Sequence, residues 1–374
     1  MTVALAVLET ESGVRPVESA GRFAWLFGGG VRHDTPPPEE FRAACAMLLE
    51  NWQVLPVTAP ALFEWGGSAL GAGPEAAVVR DRLTAWNVLS RVQLALLHRL
   101  AAALDAARIP FTLLKGTAVR FVAYESPLQR IGKDIDIGVP RELIRHAERI
   151  AIDLGFLPSQ WDPETNHFRP ADPGLRAEVE AQHYELGFLA RRQVVRDLTS
   201  EEDAAVRRDL ARRPFLWHEL PGGELACYVY ADIHHGISLD TPVEPLVRSA
   251  RRVRTSGGTV RLPALEWMLF HAIYKLYWEG VHNYGKGAYQ LADVARLTPL
   301  LDAAAAERLV SLLREVNFCA GAHYVLRRLE PELGVALPPP LRAFVERTAT
   351  PPPGREAFEL NDLGDMWPKL WGHR

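Results

Sequence analysis

The run Asp134-Ile135-Asp136-Ile137, a short way downstream of Leu113-Leu114-Lys115-Gly116-Thr117, constrains this chain more than any other feature. Acidic and β-branched residues alternate, which fits a strand, because successive strand side chains point to opposite faces. Asp134 and Asp136 therefore share one face, about 7 Å apart at the backbone. Ile135 and Ile137 share the other, facing a core. Two neighbouring carboxylates on a partly buried strand repel each other and lose solvation. A hard, oxygen-seeking cation relieves both penalties. The spacing suits a pair of Mg2+ ions about 3.5–4 Å apart. Taken alone, the motif also fits a solvated strand edge.

The upstream turn adds a phosphate site. Residues 111–114 read as a short buried strand and 117–124 as a helix, with Lys115-Gly116 turning the chain between them. Gly116 permits close backbone approach, and the helix N-terminus offers free N–H groups and a positive dipole end. Thr117 adds a hydroxyl and Lys115 a point charge. An ordinary strand-to-helix turn is the alternative. Arg130 and Lys133 flank the acidic strand and can neutralise a triphosphate, or stay solvated in a loop, the reading that suits Lys133 better.

A third carboxylate would complete the set, because a metal-bound carboxylate can take the proton of an acceptor hydroxyl in phosphoryl transfer. Asp232 lies in the apolar run Tyr230-Ala231-Asp232-Ile233-His234-His235. Glu180, in a weaker candidate strand over 177–186, competes with it. Asp232 is preferred, since its strand is more apolar and leads into a helical region. His234 shares the face of Asp232. It can orient the carboxylate, touch phosphate, or be a satisfied core histidine.

The whole chain has 374 residues, 48% of them hydrophobic and 24% charged, enough for two or three domains. A net charge of -4 gives no electrostatic basis for sequence-independent nucleic-acid binding. Cys45, Cys227 and Cys319 match no zinc spacing and no disulfide framework, which fits a reducing cytoplasm. No signal peptide and no apolar run of membrane-spanning length stands out. The expected architecture is α+β. A mostly helical N-terminal region covers 1–75, a core with a small mixed β-sheet flanked by helices covers 76–240, a C-terminal helical domain covers 241–350, and a tail covers 351–374. Helical periodicity appears over 39–52, over 75–107, and again at 265–279, 288–298, 303–316 and 320–329. The two strands around the motif suit a mixed sheet better than a doubly wound parallel one.

Leu113-Leu114-Lys115-Gly116, then Arg130, then Asp134-Ile135-Asp136-Ile137, then Asp232-Ile233-His234 together resemble the uncharacterised nucleotidyltransferase family of the polymerase-beta-like superfamily. The similarity spans roughly residues 80 to 300. The chain departs from the pattern at His235, where an aromatic is frequent, and at Thr117, where the wider superfamily often has serine. Neither change removes a metal ligand. The resemblance implies a nucleotidyltransferase fold, Mg2+ (or Mn2+) held by Asp134, Asp136 and Asp232, and a nucleoside triphosphate, ATP foremost, on Lys115, Gly116, Thr117 and Arg130. Transfer of the nucleoside monophosphate to a hydroxyl acceptor would release pyrophosphate. The acceptor stays open among a small molecule, a peptide and a protein, with nucleic acid disfavoured.

Superfamily members often bring a helical-domain lysine to the triphosphate. Lys275 is the better match, ahead of Lys286, with a lysine snorkelling over aromatics as the alternative. Asp293 reads as one half of a structural ion pair. Arg248, Arg251, Arg252 and Arg254 fit a solvated edge better than an acidic-substrate site. Two other readings stand beside nucleotidyl transfer. One is an inactive nucleotide-binding or partner-binding module on the same scaffold. The other is a metal-dependent glycosyltransferase, disfavoured because only one strand-helix unit precedes the acidic motif. Arginine prevails over lysine and alanine is abundant, as in GC-rich bacterial genomes.

Overall fold

The computed structural model describes residues 36–348, excepting 51–54, 133, 163, 165–166, 213–215, 239–240 and 283–287. The readings for Lys133, Lys286, the first 35 residues and the tail lie outside the described residues. Helices α1 (Pro38–Glu50), α2 (Leu55–Gly71) and α3 (Pro74–Ala106) come first. Helix α3 starts on a proline, whose missing N–H costs nothing at a first turn. It buries Val79, Trp86, Leu89, Leu97, Leu100 and Leu104 along one stripe.

Next come β1 (Thr112–Leu113), α4 (Lys115–Val119), β2 (Asp134–Gly138) and α5 (Ile144–Asp153). They occur in the expected order but are shorter than the sequence indicated. The helix expected to reach residue 124 ends at Val119, and Ser126 caps a separate 3-10 turn at Pro127–Gln129.

Beyond α5 lie β3 (Leu157–Asp162), β4 (His167–Pro170), α6 (Pro173–Gln182), β5 (Leu189–Val194), α7 (Ser200–Arg212), β6 (Trp217–Glu219) and β7 (Leu225–His234). The strand expected over 177–186 is a correction, because most of that segment belongs to helix α6. Pro173 opens this helix, and Arg176 pairs with Glu180 one turn on at 2.8 Å, a spacing that favours helix. Helix α8 (Glu244–Ser249) and the hairpin β8 (Arg251–Thr255) and β9 (Gly258–Leu262) follow. The basic run thus ends one helix and forms one hairpin strand. Asp105 pairs with Arg252 at 3.0 Å and Arg261 at 2.8 Å. The remaining elements are helical: α9 (Leu265–His282), α10 (Ala288–Leu297), α11 (Ala303–Glu315), α12 (Cys319–Leu326), α13 (Leu329–Leu333) and α14 (Pro339–Arg347).

The main sheet runs β1-β2-β7-β5-β3-β4, with β6 also paired to β7. Strand β1 is antiparallel to β2, β2 is parallel to β7, and β5 and β6 are antiparallel to β7. The fold is therefore α+β around a mixed sheet. Ile135, Ile137, Ala231 and Ile233 turn to the apolar face and are buried in the core. That core continues from Phe41 in α1 to Phe344 in α14. Among the described residues, no helix is long and apolar enough to cross a membrane.

Candidate active site

Strand register assembles the acidic centre. Asp134 pairs with Tyr230, Asp136 with Asp232 and Gly138 with His234. Adjacent strands lie about 4.8 Å apart, so residues far apart in the chain share one small patch of one face. Asp136, Asp232 and His234 each offer a ligand atom within 4.8 Å of the others. Asp136 is only 2% exposed and Asp232 only 5%. Asp134 is half-buried, stands one register step away, and lies outside that trio. It is still near enough for its charge to act on Asp232 and Lys115.

The β1–α4 turn completes the centre. Lys115 adopts a left-handed φ of 48°, uncommon for a side chain with a Cβ. Its Nζ lies 2.6 Å from Asp136 Oδ1 and 3.3 Å from His234 Nε2. His234 Nε2 is itself 3.1 Å from Asp136 Oδ1, and Nδ1 is 3.0 Å from Glu185 Oε2. Asp136 thus meets two cationic groups, whereas Asp232 Oδ1 is buried with no hydrogen-bond partner.

The charges follow from this layout. Burial would raise the Asp136 pKa, but Lys115 and His234 hold it well below the usual carboxylate range. Burial and the neighbouring Asp134 and Asp136 push Asp232 well above it. Burial and Lys115 both oppose a charged His234, and its bonds to Asp136 and Glu185 raise its pKa nonetheless. Glu185 is likewise held down to about 2, against burial, by His234 and then Lys115. For Lys115 burial is outweighed by Asp136, Asp134, Asp232 and Glu185, and its pKa rises well above normal.

The other expected site residues fall into separate places. Thr117 is buried, and its hydroxyl accepts from Asp136 N at 3.1 Å and donates to Asp134 O at 3.3 Å. It clips the turn to the acidic strand. Gly116 needs its missing side chain, since a Cβ there would sit 2.7 Å from Arg130 Nη2. Arg130 is buried behind the turn. It donates to Asp293 Oδ1 and Oδ2, both at 2.8 Å, and to Ile131 O at 2.5 Å, beneath the Tyr289 ring. The structural ion pair read for Asp293 is present, and Arg130 is its partner. Lys275, on α9, donates to the Tyr184 hydroxyl at 3.4 Å, and the Tyr184 ring stacks on His234. Glu180 is not brought to the centre but joins Glu148, Arg145 and Arg176 in a separate ion-pair cluster.

Sequence reasoning missed Glu185, which follows α6 in an irregular segment where no periodicity marks it. His271 was missed as well. It lies on α9, where any single histidine reads as core. It is buried, and its Nε2 has no hydrogen-bond partner. Burial, then Lys115, Lys275 and His234, push its pKa well below normal, so it is neutral. Two polar residues of α3 support the centre, Gln93 and Ser90, and Ser90 accepts from Arg120 at 2.8 Å. Gln93 donates to Gly132 O at 3.2 Å and Asp134 O at 2.9 Å, and it accepts from Arg120 at 2.8 Å.

Paired strand carboxylates beside a cationic turn on a mixed sheet define the class, a nucleotidyltransferase. The chain belongs to the uncharacterised nucleotidyltransferase family, whose model matches residues 48–331. Among curated proteins, none matches this chain in sequence. Solved structures similar to this chain include two nucleotidyltransferase-type proteins. The antibiotic-resistance factor ANT(2'')-Ia is 16% identical, with 63% of this chain and 98% of that one covered and a TM-score of 0.33. An antigenic nucleotidyltransferase-like protein from Paracoccidioides brasiliensis is 15% identical, with 62% and 93% covered and a TM-score of 0.29.

Proposed function

We propose that this nucleotidyltransferase moves a nucleoside monophosphate from ATP to a hydroxyl acceptor, using Mg2+ held by Asp136, Asp232 and Asp134. The observation that carries the reading is the unpartnered, buried Asp232 Oδ1 facing Asp136. An orphaned carboxylate oxygen among acidic neighbours is costly, and hard oxygen donors are the set Mg2+ takes. His234 is a poorer ligand than the acids here, because both its ring nitrogens already face carboxylates. When bound, Mg2+ neutralises phosphoryl oxygens and acidifies the attacking hydroxyl.

The chain's own groups do the rest. Lys115 is the counter-ion to Asp136 and would be free to meet the triphosphate where a cation held that carboxylate. The free N–H groups of the turn at Gly116 add donors to the phosphate oxygens. Arg130 and Thr117 hold that turn in place without touching the nucleotide. Asp232, whose Oδ1 has no hydrogen-bond partner, takes the hydroxyl proton. The new acceptor-oxygen-to-α-phosphorus bond forms as the bond to the bridging oxygen breaks, and pyrophosphate leaves. Lys275 and Tyr184 line the opposite side, where Lys275 meets the outer phosphates.

The test is Asp136→Asn. Label transfer from α-labelled ATP should fall at least a hundredfold while circular dichroism stays unchanged. Product formation at the wild-type rate would reject the assignment.

A further inference from the structure

Beside the acidic centre lies a row of aromatic rings that the chemistry above does not use. Alternation along β7 puts Tyr228 and Tyr230 on the same face as Asp232 and His234. Tyr230 is the register partner of Asp134, so the first ring begins one strand spacing from the metal-binding carboxylates. The β3–β4 hairpin continues the row. Its cross-strand pair Trp161 and Phe168 has ring centroids 5.1 Å apart. Phe168 lies 5.0 Å from the rings of both Tyr228 and Tyr230.

This row differs from core. Trp161, Phe168 and Tyr230 all keep part of their surface exposed, while His167, Arg169 and Pro170 of the same hairpin face solvent. The hairpin spends its two large aromatics on the acidic face. Ala190, the β5 neighbour of Tyr230, is small and buried, so no second large side chain competes with that ring from β5. Exposed Arg192, opposite Tyr228, closes the far end. Flat rings offer large contact area at little conformational cost and tolerate any stacked partner with a planar face.

We propose that Trp161, Phe168 and Tyr230 form the acceptor subsite, and that it takes a small acceptor whose hydroxyl is carried on a ring with an apolar face, sugar or aromatic. This rests on the nucleotidyl-transfer reading, because the subsite gains its meaning from the hydroxyl it aims at Asp232. A ring stacked beside Tyr230 lies two residues along β7 from Asp232, about 7 Å at the backbone, a span that a hydroxyl carried on the ring can bridge. The rings also exclude water, which would otherwise compete as acceptor.

The experiment uses the full chain with methyl β-glucoside, 4-hydroxybenzyl alcohol and the linear polyol ribitol as probes. Saturation-transfer NMR reads binding without nucleotide, and pyrophosphate release reads turnover with ATP and Mg2+. At least one ring probe should bind, ribitol should not, and Phe168→Ala should weaken the ring probe about tenfold or more. Phe168→Leu keeps apolar bulk without the flat face and should show most of the same loss, which separates stacking from misfolding. The glucoside and the benzyl alcohol distinguish a sugar from an aromatic acceptor. Ring probes that bind and lose binding in both variants, with no pyrophosphate released, would keep the subsite and reject the transfer reading. Equal use of ribitol, unchanged ring binding in both variants, or no ring binding at all would overturn the subsite even where pyrophosphate appears.

Discussion

Replacing Asp232 by Asn should stabilise the metal-free protein and remove its response to Mg2+. In the metal-free centre, Asp232 feels two acids (Asp134, Asp136) and two cationic groups (Lys115, His234), which offset each other in sign, while burial acts on it most strongly. The burial of its unpartnered carboxylate oxygen is therefore left uncompensated. A buried charged group that lacks a hydrogen-bond partner costs about 3 kcal/mol. Relaxation and solvent reduce this, so a gain of roughly 1–3 kcal/mol is expected for Asp232→Asn. Typical unfolding entropies imply about 1.3 °C per kcal/mol for a chain this long, hence a rise of roughly 1–4 °C. Mg2+ at a hundred times its Kd should raise the wild-type Tm by about the equivalent of 2.7 kcal/mol. It should leave Asp232→Asn nearly unmoved. The pH dependence has a defined sign. The Asp232 pKa is raised on folding, so its penalty is absent below the ordinary carboxylate pKa of 3.8 and complete above the raised value. The Tm difference between wild type and variant should therefore close as the pH falls. Scanning calorimetry with and without Mg2+ at several pH values reads all three effects. A metal-free variant less stable than wild type, or one that keeps the full Mg2+ response, would refute the reasoning.

Three further outcomes are expected. Asp293→Asn strands the buried Arg130 guanidinium and should cost about 3–5 kcal/mol, read as a lower midpoint in urea, whereas an exposed pair would cost under about 1 kcal/mol. Gly116→Ala drives a Cβ to 2.7 Å from Arg130 Nη2, so both the urea midpoint (a loss of about 1–3 kcal/mol) and the transfer rate should fall, and an unchanged midpoint would contradict the close packing. Burial pushes the thiols of Cys45 and Cys227 up to about 12, so a thiol-disulfide reagent at neutral pH should label only Cys319 quickly, and rapid titration of all three would contradict the core packing.

The resemblance to nucleotidyltransferases was visible in the sequence because its carriers are local. Lys115 to Thr117 and Asp134 to Asp136 each sit within one turn or one strand, where periodicity of two already fixes which residues share a face. Long helices were equally legible, since α1, α3 and α9 carry sustained apolar stripes. The short strands β3, β5 and β6 and the helix α6 were not, because a few residues of mixed polarity fit either period. Glu185 stayed hidden for a related reason, as only an isolated bridge to His234 brings it into the centre.

By itself the sequence carried the nucleotidyltransferase class, the shared strand face of Asp134 and Asp136, and the expectation of Asp232 ahead of Glu180. Tertiary structure alone decided the partners. It set Arg130 against Asp293 behind the turn and Thr117 against the acidic strand. It left one oxygen of Asp232 unsatisfied, and it laid Tyr230 beside Asp134 and Phe168 against Tyr230. Contacts inside one element follow from backbone period, but contacts across strands far apart in the chain depend on register. Register is chosen by the packing of the whole sheet.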